Sequence, residues 1–377
     1  MSSEIFTLEK LYQAYLDCRR RKKNTINALQ FEIEREKNLI KLKRELNQKT
    51  YQISRHICFI ITEPSPREVF AADFRDRVIH HLLYNEINHY FEKDFIENSF
   101  ACREDKGTHL AVEQLKNYLK EIDKGFFLKL DIRSFFCSIN KDILYRIILR
   151  KITEVNNSAS WKEDILWLCQ KIIFHAPTLN CVFKGELSKR KFIPREKSLF
   201  FSNGKGLPIG NLTSQFLANL YLNELDQFIK QNLKCKYYIR YVDDFLLLDK
   251  DKEKLKSLIK PINEFLKTEL DLELRLSKTK LQPIDKGISF LGYFVKPDYT
   301  LVRKKVVSRL KDKLYKLNKG GGKIKDLKEV LAMINSYYGH FGHAFSFNLR
   351  KDIYKNHLGK LRRKFLPKLN YSFLKIC

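Results

Sequence analysis

The sequence predicts an α+β fold, and three observations carry that reading. Short apolar runs of strand character alternate with amphipathic helical stretches between residues 51 and 300. The first fifty residues and the region beyond 301 are helical in pattern. The chain has 377 residues, 44% hydrophobic and 13% aromatic, which is ample for a packed core and excludes a disordered chain. This length divides into two or three domains or subdomains: a helical basic extension over 1–50, a mixed body over 51–300 and a basic helical tail over 301–377. No internal repeat or low-complexity linker separates them, so the parts are expected to pack together.

In the extension, Ile26, Leu29, Ile33 and Ile40 fall near one stripe, with Leu39, Leu42 and Leu46 beside it. The cluster from Arg19 to Lys23 interrupts it as a turn with a phosphate-facing edge. Candidate strands follow at Phe126–Ile132, Tyr237–Val242, Phe245–Leu248 and Ile288–Val295. Residues 178–206 are rich in Lys, Gly and Ser with little periodicity and predict a loop or β-hairpin. Gly206-Leu207-Pro208-Ile209-Gly210 is a Gly/Pro loop of small bulk that lets a nucleotide or template base approach the backbone. A helix then runs from Asn211 to Asp226, with Leu217, Leu220, Tyr221 and Leu225 on one face. In the tail, Gly320, Gly321 and Gly322 mark a hinge or tight turn.

Lys and Arg number 72 against 44 Asp and Glu, a net charge of +28. Residues 301–377 hold 20 Lys/Arg against 4 Asp/Glu, more than half of that excess. A folded chain this basic calls for a polyanion; nucleic acid leads, an anionic membrane surface is secondary, and a merely solvated face is the plain alternative. No apolar run approaches the roughly 18 residues that span a bilayer, and the N-terminal segment lacks a signal peptide's apolar block. The eight cysteines form no CxxC and no zinc-spaced Cys/His block, which fits reduced thiols and a cytoplasmic location. His340 and His343 have no cysteine beside them, so packing or RNA contact accounts for them better than a metal.

The sharpest feature is Tyr241-Val242-Asp243-Asp244 between two apolar runs. Strands joined there place adjacent carboxylates on a hairpin tip, where like charges are costly unless a cation neutralises them. A solvated Asp-Asp turn is the plain alternative. A third carboxylate favours function: Asp131 ends the apolar strand Phe126-Phe127-Leu128-Lys129-Leu130. Three carboxylates at strand ends suit two Mg²⁺ ions, roughly 3.5–4 Å apart, bridged by carboxylates and substrate phosphates.

Taken together, FFLKLDIRSFF, GLPIGNLTSQFLANLYLNELD, YVDD, SKTK and FLGY stand in the order of the reverse transcriptase family, which the chain resembles over roughly residues 55–350. The resemblance implies a right-hand polymerase fold, with fingers and palm over 51–300, the YVDD hairpin on the palm's antiparallel sheet, and a helical thumb over 301–377. It implies an RNA-directed DNA polymerase using two Mg²⁺ ions, with Mn²⁺ as a substitute, at the metal positions Asp131, Ile132, Asp243 and Asp244. Lys278 resembles the lysine that protonates pyrophosphate, with Lys280 a nearby rival. Phe136, five residues after Asp131, looks like the gate that clashes with a ribose 2′-OH; a core Phe beside Phe135 is its alternative. Arg67 matches the fingers arginine on the incoming triphosphate, an apt bidentate donor. Ile209, Gly210, Gln215 and Tyr241 complete the implied substrate-binding set, and Phe290-Leu291-Gly292-Tyr293 resembles the primer grip. The implied partners are template RNA, the RNA–cDNA duplex and dNTPs, with no membrane.

Within the family, Ile209-Gly210-Asn211-Leu212-Thr213-Ser214-Gln215 departs from the Gln-Gly and Ser-Pro of most bacterial retroelement enzymes. It resembles the diversity-generating retroelement reverse transcriptases, as do FRDRVIHHLLYNEI, FACREDKGTHLAVEQL and INSYYGHFGHAF. That resemblance implies cDNA synthesis error-prone at adenines and a small basic accessory variability protein. Ser65-Pro66-Arg67 departs from the group's Lys-Pro-Arg, which leaves a phosphate-binding lysine absent or supplied from elsewhere. A group II intron enzyme would be expected to continue past the thumb, and retron motifs are missing. A defence-associated, abortive-infection-like reverse transcriptase is the alternative in class, and a non-catalytic RNA-binding ribonucleoprotein subunit the alternative in kind.

Overall fold

The structure is a computed structural model that describes residues 3–20, 25–319 and 326–377. Gly320–Gly322 and residues 21–23 of the Arg19–Lys23 cluster lie outside the described residues. The described residues form twelve strands: β1 (His56–Ile61), β2 (Arg67–Ala71), β3 (Phe126–Asp131), β4 (Cys181–Phe183), β5 (Tyr237–Tyr241), β6 (Asp244–Asp249), β7 (Lys280–Pro283), β8 (Ile288–Phe290), β9 (Tyr293–Val295), β10 (Thr300–Val302), β11 (Phe365–Lys368) and β12 (Phe373–Ile376). With the helices between them, this is the expected α+β class. No helix of the described residues is long and apolar enough to cross a membrane.

The chain divides into two units. The first comprises Met1–Asp105, Lys129–Phe245 and Ser257–Thr279. Its long helix Phe74–Glu92 starts at Asp73, whose side chain accepts from the Arg75 amide, and it buries Val78, Ile79, Leu82, Leu83, Ile87 and Phe91. The N-terminal helices Leu8–Arg19, Ile26–Ile33 and Arg35–Asn47 bury Leu11, Phe31, Leu39, Leu42 and Leu46. The expected stripe fails in its first half: Ile26, Leu29, Ile33 and Ile40 are all exposed, Ile33 by 83%. The stripe faces solvent, and the core instead takes Ala28 and Phe31 from the helix before the break at Glu34 (φ −115°, ψ 37°) and Leu39, Leu42 and Leu46 from the helix after it. Helix Leu212–Gln227 is buried nearly all round, Phe216, Ala218 and Leu222 as well as the expected face. β1 pairs antiparallel with β2 (Ile57↔Ala71, Ile61↔Arg67) and parallel with β4. The segment 178–206 forms that one short strand and three 3₁₀ helices, not a hairpin. β5, β6 and the end of β3 lie side by side in that order.

The second unit comprises Lys106–Leu128, Leu246–Lys256 and Lys280–Cys377. Here the start of β3 neighbours β7, and β8, β9 and β10 form an antiparallel meander. The single strand expected over Ile288–Val295 is instead the β8–β9 hairpin, because Leu291 and Gly292 turn at φ 47° and 90°. Helices Lys304–Asn318, Leu327–Gly342 and Phe347–Asp352 follow, with Leu310, Leu314, Ile334, Tyr338, Phe341 and Ile353 in their core. The tail read as helical closes on the antiparallel hairpin β11–β12.

Candidate active site

The site in the first unit is built on a two-residue hairpin. β5 ends at Tyr241 and β6 begins at Asp244, so Val242 and Asp243 make the turn. Val242 sits at φ 55°, a left-handed conformation that a β-branched residue adopts only under strain. The strain is held by Arg240, which is fully buried. Its Nη1 donates to the Val242 carbonyl at 3.2 Å and to Asn219 Oδ1 at 3.1 Å. Its Nε and Nη2 grip the two oxygens of Asp226 at 2.7 and 2.6 Å. Tyr238 Oη donates to Asp226 as well, at 2.7 Å.

Asp131 ends β3, the strand beside β6, and this adjacency brings the three carboxylates into one field. Burial and then the charges of Asp131 and Asp244 push the Asp243 carboxyl up to about 6. Asp244 is raised too, chiefly by burial, with Lys129 pulling the other way. Two lysines supply counter-charge: Lys278 Nζ lies 2.8 Å from Asp131 Oδ2, and Lys129 Nζ lies 2.7 Å from Asp244 Oδ2. Of the two lysines weighed from sequence, Lys278 is thus the one bonded to Asp131. Asp244 Oδ1 is buried with no hydrogen-bond partner. Among the described residues, no three His, Cys, Asp or Glu side chains already converge as a metal cage.

The Gly/Pro loop is stitched between two elements of the same unit. The amides of Gly206 and Leu207 donate to the carbonyls of Ile139 and Phe136, each at 2.8 Å. At its other end the Phe70 amide donates to the Ile209 carbonyl at 2.8 Å, and Asn211 Oδ1 accepts from the Ala72 amide. Gly206 (φ 88°) has no room for a side chain: a Cβ would stand 2.8 Å from Leu199 Cδ1 and 3.0 Å from the Cys137 backbone. Phe135 is buried whereas Phe136 is only half-buried, which leaves part of its ring accessible. Ile209 is half-buried, Gly210 and Gln215 are exposed, Ile132 is buried and Tyr241 half-buried. Arg67 opens β2, its guanidinium 3.4 Å from Ser65 Oγ.

The primer-grip candidates belong to the second unit. Phe290 and Tyr293 are fully buried and Leu291-Gly292 form the tip between them. Tyr293 Oη donates to the His340 carbonyl at 2.8 Å, and its ring stacks on the His340 imidazole at 4.3 Å.

Two features escaped the sequence reading although signals existed. Lys129 lies two residues before Asp131 on a strand, hence on the same face, which would have flagged it as a counter-charge. Arg240 is a lone charge inside the apolar run Tyr237–Val242, the pattern of a cation with a buried partner, which Asp226 turns out to be.

Residues 63–295, more than half of the chain, match the family model described as "Reverse transcriptase (RNA-dependent DNA polymerase)". Protein YkfC of Escherichia coli (strain K12) is 23% identical over 254 residues, 58% of this chain and 60% of that protein. The putative COX1/OXI3 intron 2 protein of Saccharomyces cerevisiae is 23% identical over 292 residues, 68% of this chain but 34% of that protein. The chain thus spans less than two thirds of either relative. Among solved structures, telomerase from Candida albicans with a TWJ fragment of telomeric RNA aligns with a TM-score of 0.46 at 13% identity, covering 81% of this chain and 55% of that one. Apo telomerase from Candida Tropicalis aligns at 0.48 and 13% identity, covering 80% and 55%.

Proposed function

The chain belongs to the reverse transcriptase family, and from that premise we propose that it is an RNA-directed DNA polymerase copying a template RNA into cDNA at Asp131, Asp243 and Asp244. One observation carries the reading: Asp243 and Asp244 sit at a strained hairpin beside the strand that ends in Asp131, where burial and then the charge of Asp131 raise the Asp243 carboxyl to about 6. The donor set fits divalent cations, since Asp244 Oδ1 is a buried oxygen that no protein group satisfies. Two Mg²⁺ ions, or Mn²⁺ in their place, would be held by the three carboxylates with the backbone of Ile132. Bound there, such ions activate the primer hydroxyl and neutralise charge on the leaving pyrophosphate.

The chain's own groups do the rest. Lys278 steadies Asp131 and is our candidate proton donor to pyrophosphate, and Lys129 steadies Asp244. Arg67 takes the triphosphate, the accessible edge of Phe136 excludes a ribose 2′-OH, and Tyr241 with Ile209, Gly210 and Gln215 lines the nascent pair. Phe290–Tyr293 act as primer grip, and 301–377, basic throughout, tracks the duplex through its phosphates as the thumb. The test is primer extension on an RNA template with dNTPs and Mg²⁺, with Asp243→Asn and Asp244→Asn as controls. Wild-type extension no better than those controls overturns the reading.

Within the family we assign the chain to the diversity-generating class, on the Ile209–Gln215 pattern and the segments that accompany it. Ile209 contributes shape without the polar contact of a glutamine, and one such contact, about 1 kcal/mol, changes discrimination several-fold. Partners on this reading are the template RNA, the RNA–cDNA duplex and a small basic accessory protein. Ile209→Gln is expected to lower misincorporation opposite adenine several-fold; unchanged errors on sequencing the cDNA reject the assignment of infidelity to this residue.

A further inference from the structure

Between residues 178 and 206 seven Lys and Arg stand against two acids, Glu186 and Glu196, alongside four phenylalanines. The structure shows how this segment, one short strand followed by 3₁₀ turns, is held. Buried Glu68 accepts from Ser198 Oγ at 2.7 Å and from the Leu199 amide at 2.9 Å, and Ile193 is buried. The Arg190 guanidinium lies 4.2 Å above Phe200 and 5.7 Å from Phe183, two rings that stack on each other at 5.6 Å. These contacts fix the backbone of the three 3₁₀ turns.

The remaining side chains point to solvent in a repeated pattern. Phe192 is 58% exposed with Lys191 Nζ 5.4 Å over its ring, and Phe201 is 48% exposed with the Arg195 guanidinium 4.6 Å over its ring. Neither acid cancels these cations: Glu186 pairs with Lys189, and Glu196 with Arg133 and Arg275. Lys191 and Arg195 make no ion pair among the described residues. A large exposed ring gains by losing water, and an unpaired cation gains by meeting an anion. A nucleotide offers both at once, a flat base and a phosphate, and a strand offers the pair repeatedly.

We propose that this face, Lys191–Phe192 and Arg195–Phe201, is a docking platform for unpaired RNA. The polymerase reading supplies only the identity of the natural ligand, the single-stranded stretch of the template. A duplex fits less well because its base faces are already stacked, and an acidic peptide would use the cations but not the rings.

The experiment is equilibrium binding of fluorescent 12-nucleotide oligo(U) RNA and of a 12-base-pair RNA duplex to the full chain, without dNTP or divalent ion, across a salt series. Phe192→Ala with Phe201→Ala is expected to weaken oligo(U) binding at least fivefold and leave the duplex unchanged. Lys191→Gln with Arg195→Gln is expected to flatten the log K against log salt slope for oligo(U) by about 1.4, two phosphates at about 0.7 each. All four side chains are exposed, and circular dichroism melts verify that the variants stay folded. Oligo(U) binding insensitive to the rings, equal losses on duplex and oligo(U), or a salt slope unmoved by the glutamines each overturns the platform. Because no catalysis is involved, inactive polymerase would leave this result standing, and failed ring dependence would leave the polymerase standing.

Discussion

The support beneath the Asp-Asp hairpin is where a substitution separates stability from function most cleanly. Val242 at φ 55° carries a penalty of about 1–2 kcal/mol for an L-residue. The charge-assisted hydrogen bond from Arg240 to its carbonyl contributes about 1.5–3 kcal/mol, enough to offset that penalty. Both side chains of the Arg240–Asp226 pair are fully buried, so removing one partner strands a charge in the core. Asp226→Asn is therefore expected to destabilise the protein by about 3–5 kcal/mol. The double variant Arg240→Met, Asp226→Leu removes both charges together, and apolar replacement of a buried pair is commonly neutral or stabilising. It leaves the buried Tyr238 hydroxyl without its acceptor and Asn219 Oδ1 and the Val242 carbonyl without their donor, losses of about 1–3 kcal/mol each that offset the gain, so urea denaturation should place it above Asp226→Asn and at or a few kcal/mol below wild type. Extension should not recover with it. The Val242 carbonyl still lacks its donor, and a 1.4 kcal/mol relaxation of the turn away from its strained form corresponds to a tenfold loss in rate. Single-turnover primer extension measures this. A double variant that regains both stability and full rate would falsify the reasoning, for the pair would then only fasten the core.

Three further outcomes follow from the same unit. The Asp243 carboxyl, raised from 3.8 to about 6, holds a proton that the unfolded chain has lost between those values. Folding stability should therefore fall as pH rises through that window, while Mg²⁺ or Mn²⁺ affinity by calorimetry should climb toward a plateau above about 6; profiles flat from pH 4 to 7 contradict this. Asp243→Asn removes a charge that burial and two neighbouring carboxylates oppose, so its melting temperature at pH 7.5 should equal or exceed wild type while extension is lost; a fall of several degrees counts against the shared field. Gly206→Ala forces a left-handed conformation and a Cβ 2.8 Å from Leu199 Cδ1, and should destabilise by about 1–3 kcal/mol in urea; a loss below about 0.5 kcal/mol rules out the close approach.

The sequence made the palm-like elements legible because their signals are local. Apolar runs bounded by carboxylates mark β3, β5 and β6, and a Gly/Pro loop before an apolar run marks helix Leu212–Gln227. What it could not show depends on phase or on distant partners. The Ile26–Ile40 stripe failed because an apolar stripe does not say which side of a helix meets the core: Ala28 and Phe31 face it before Glu34, and Leu39, Leu42 and Leu46 after it. Ile288–Val295 reads as one strand because Gly292, the one break in the run, suits a bulge as well as a turn, and nothing marks Leu291 for a positive φ. The two lysine contacts link residues 115 and 147 positions apart, and no spacing rule reaches so far. Tertiary pairing chose them.

Those contacts bear on how an acidic centre survives in a chain of net charge +28. Long-range attraction to the basic excess is screened within about 8–10 Å at ordinary salt, so it cannot stabilise three neighbouring carboxylates. Contact pairs can, and two of the three have one: Asp131 with Lys278 and Asp244 with Lys129. Asp243 pairs with no lysine among the described residues, so little opposes the burial and the Asp131 charge that push its carboxyl up to about 6. The Asp244 pair is also incomplete, since Lys129 meets Oδ2 and Oδ1 is left buried and unsatisfied. A fully satisfied cluster would be inert toward cations, and an unpaired one would resist folding. Partial pairing lets the chain fold with its carboxylates assembled and still leaves an oxygen that a cation satisfies better than the protein does.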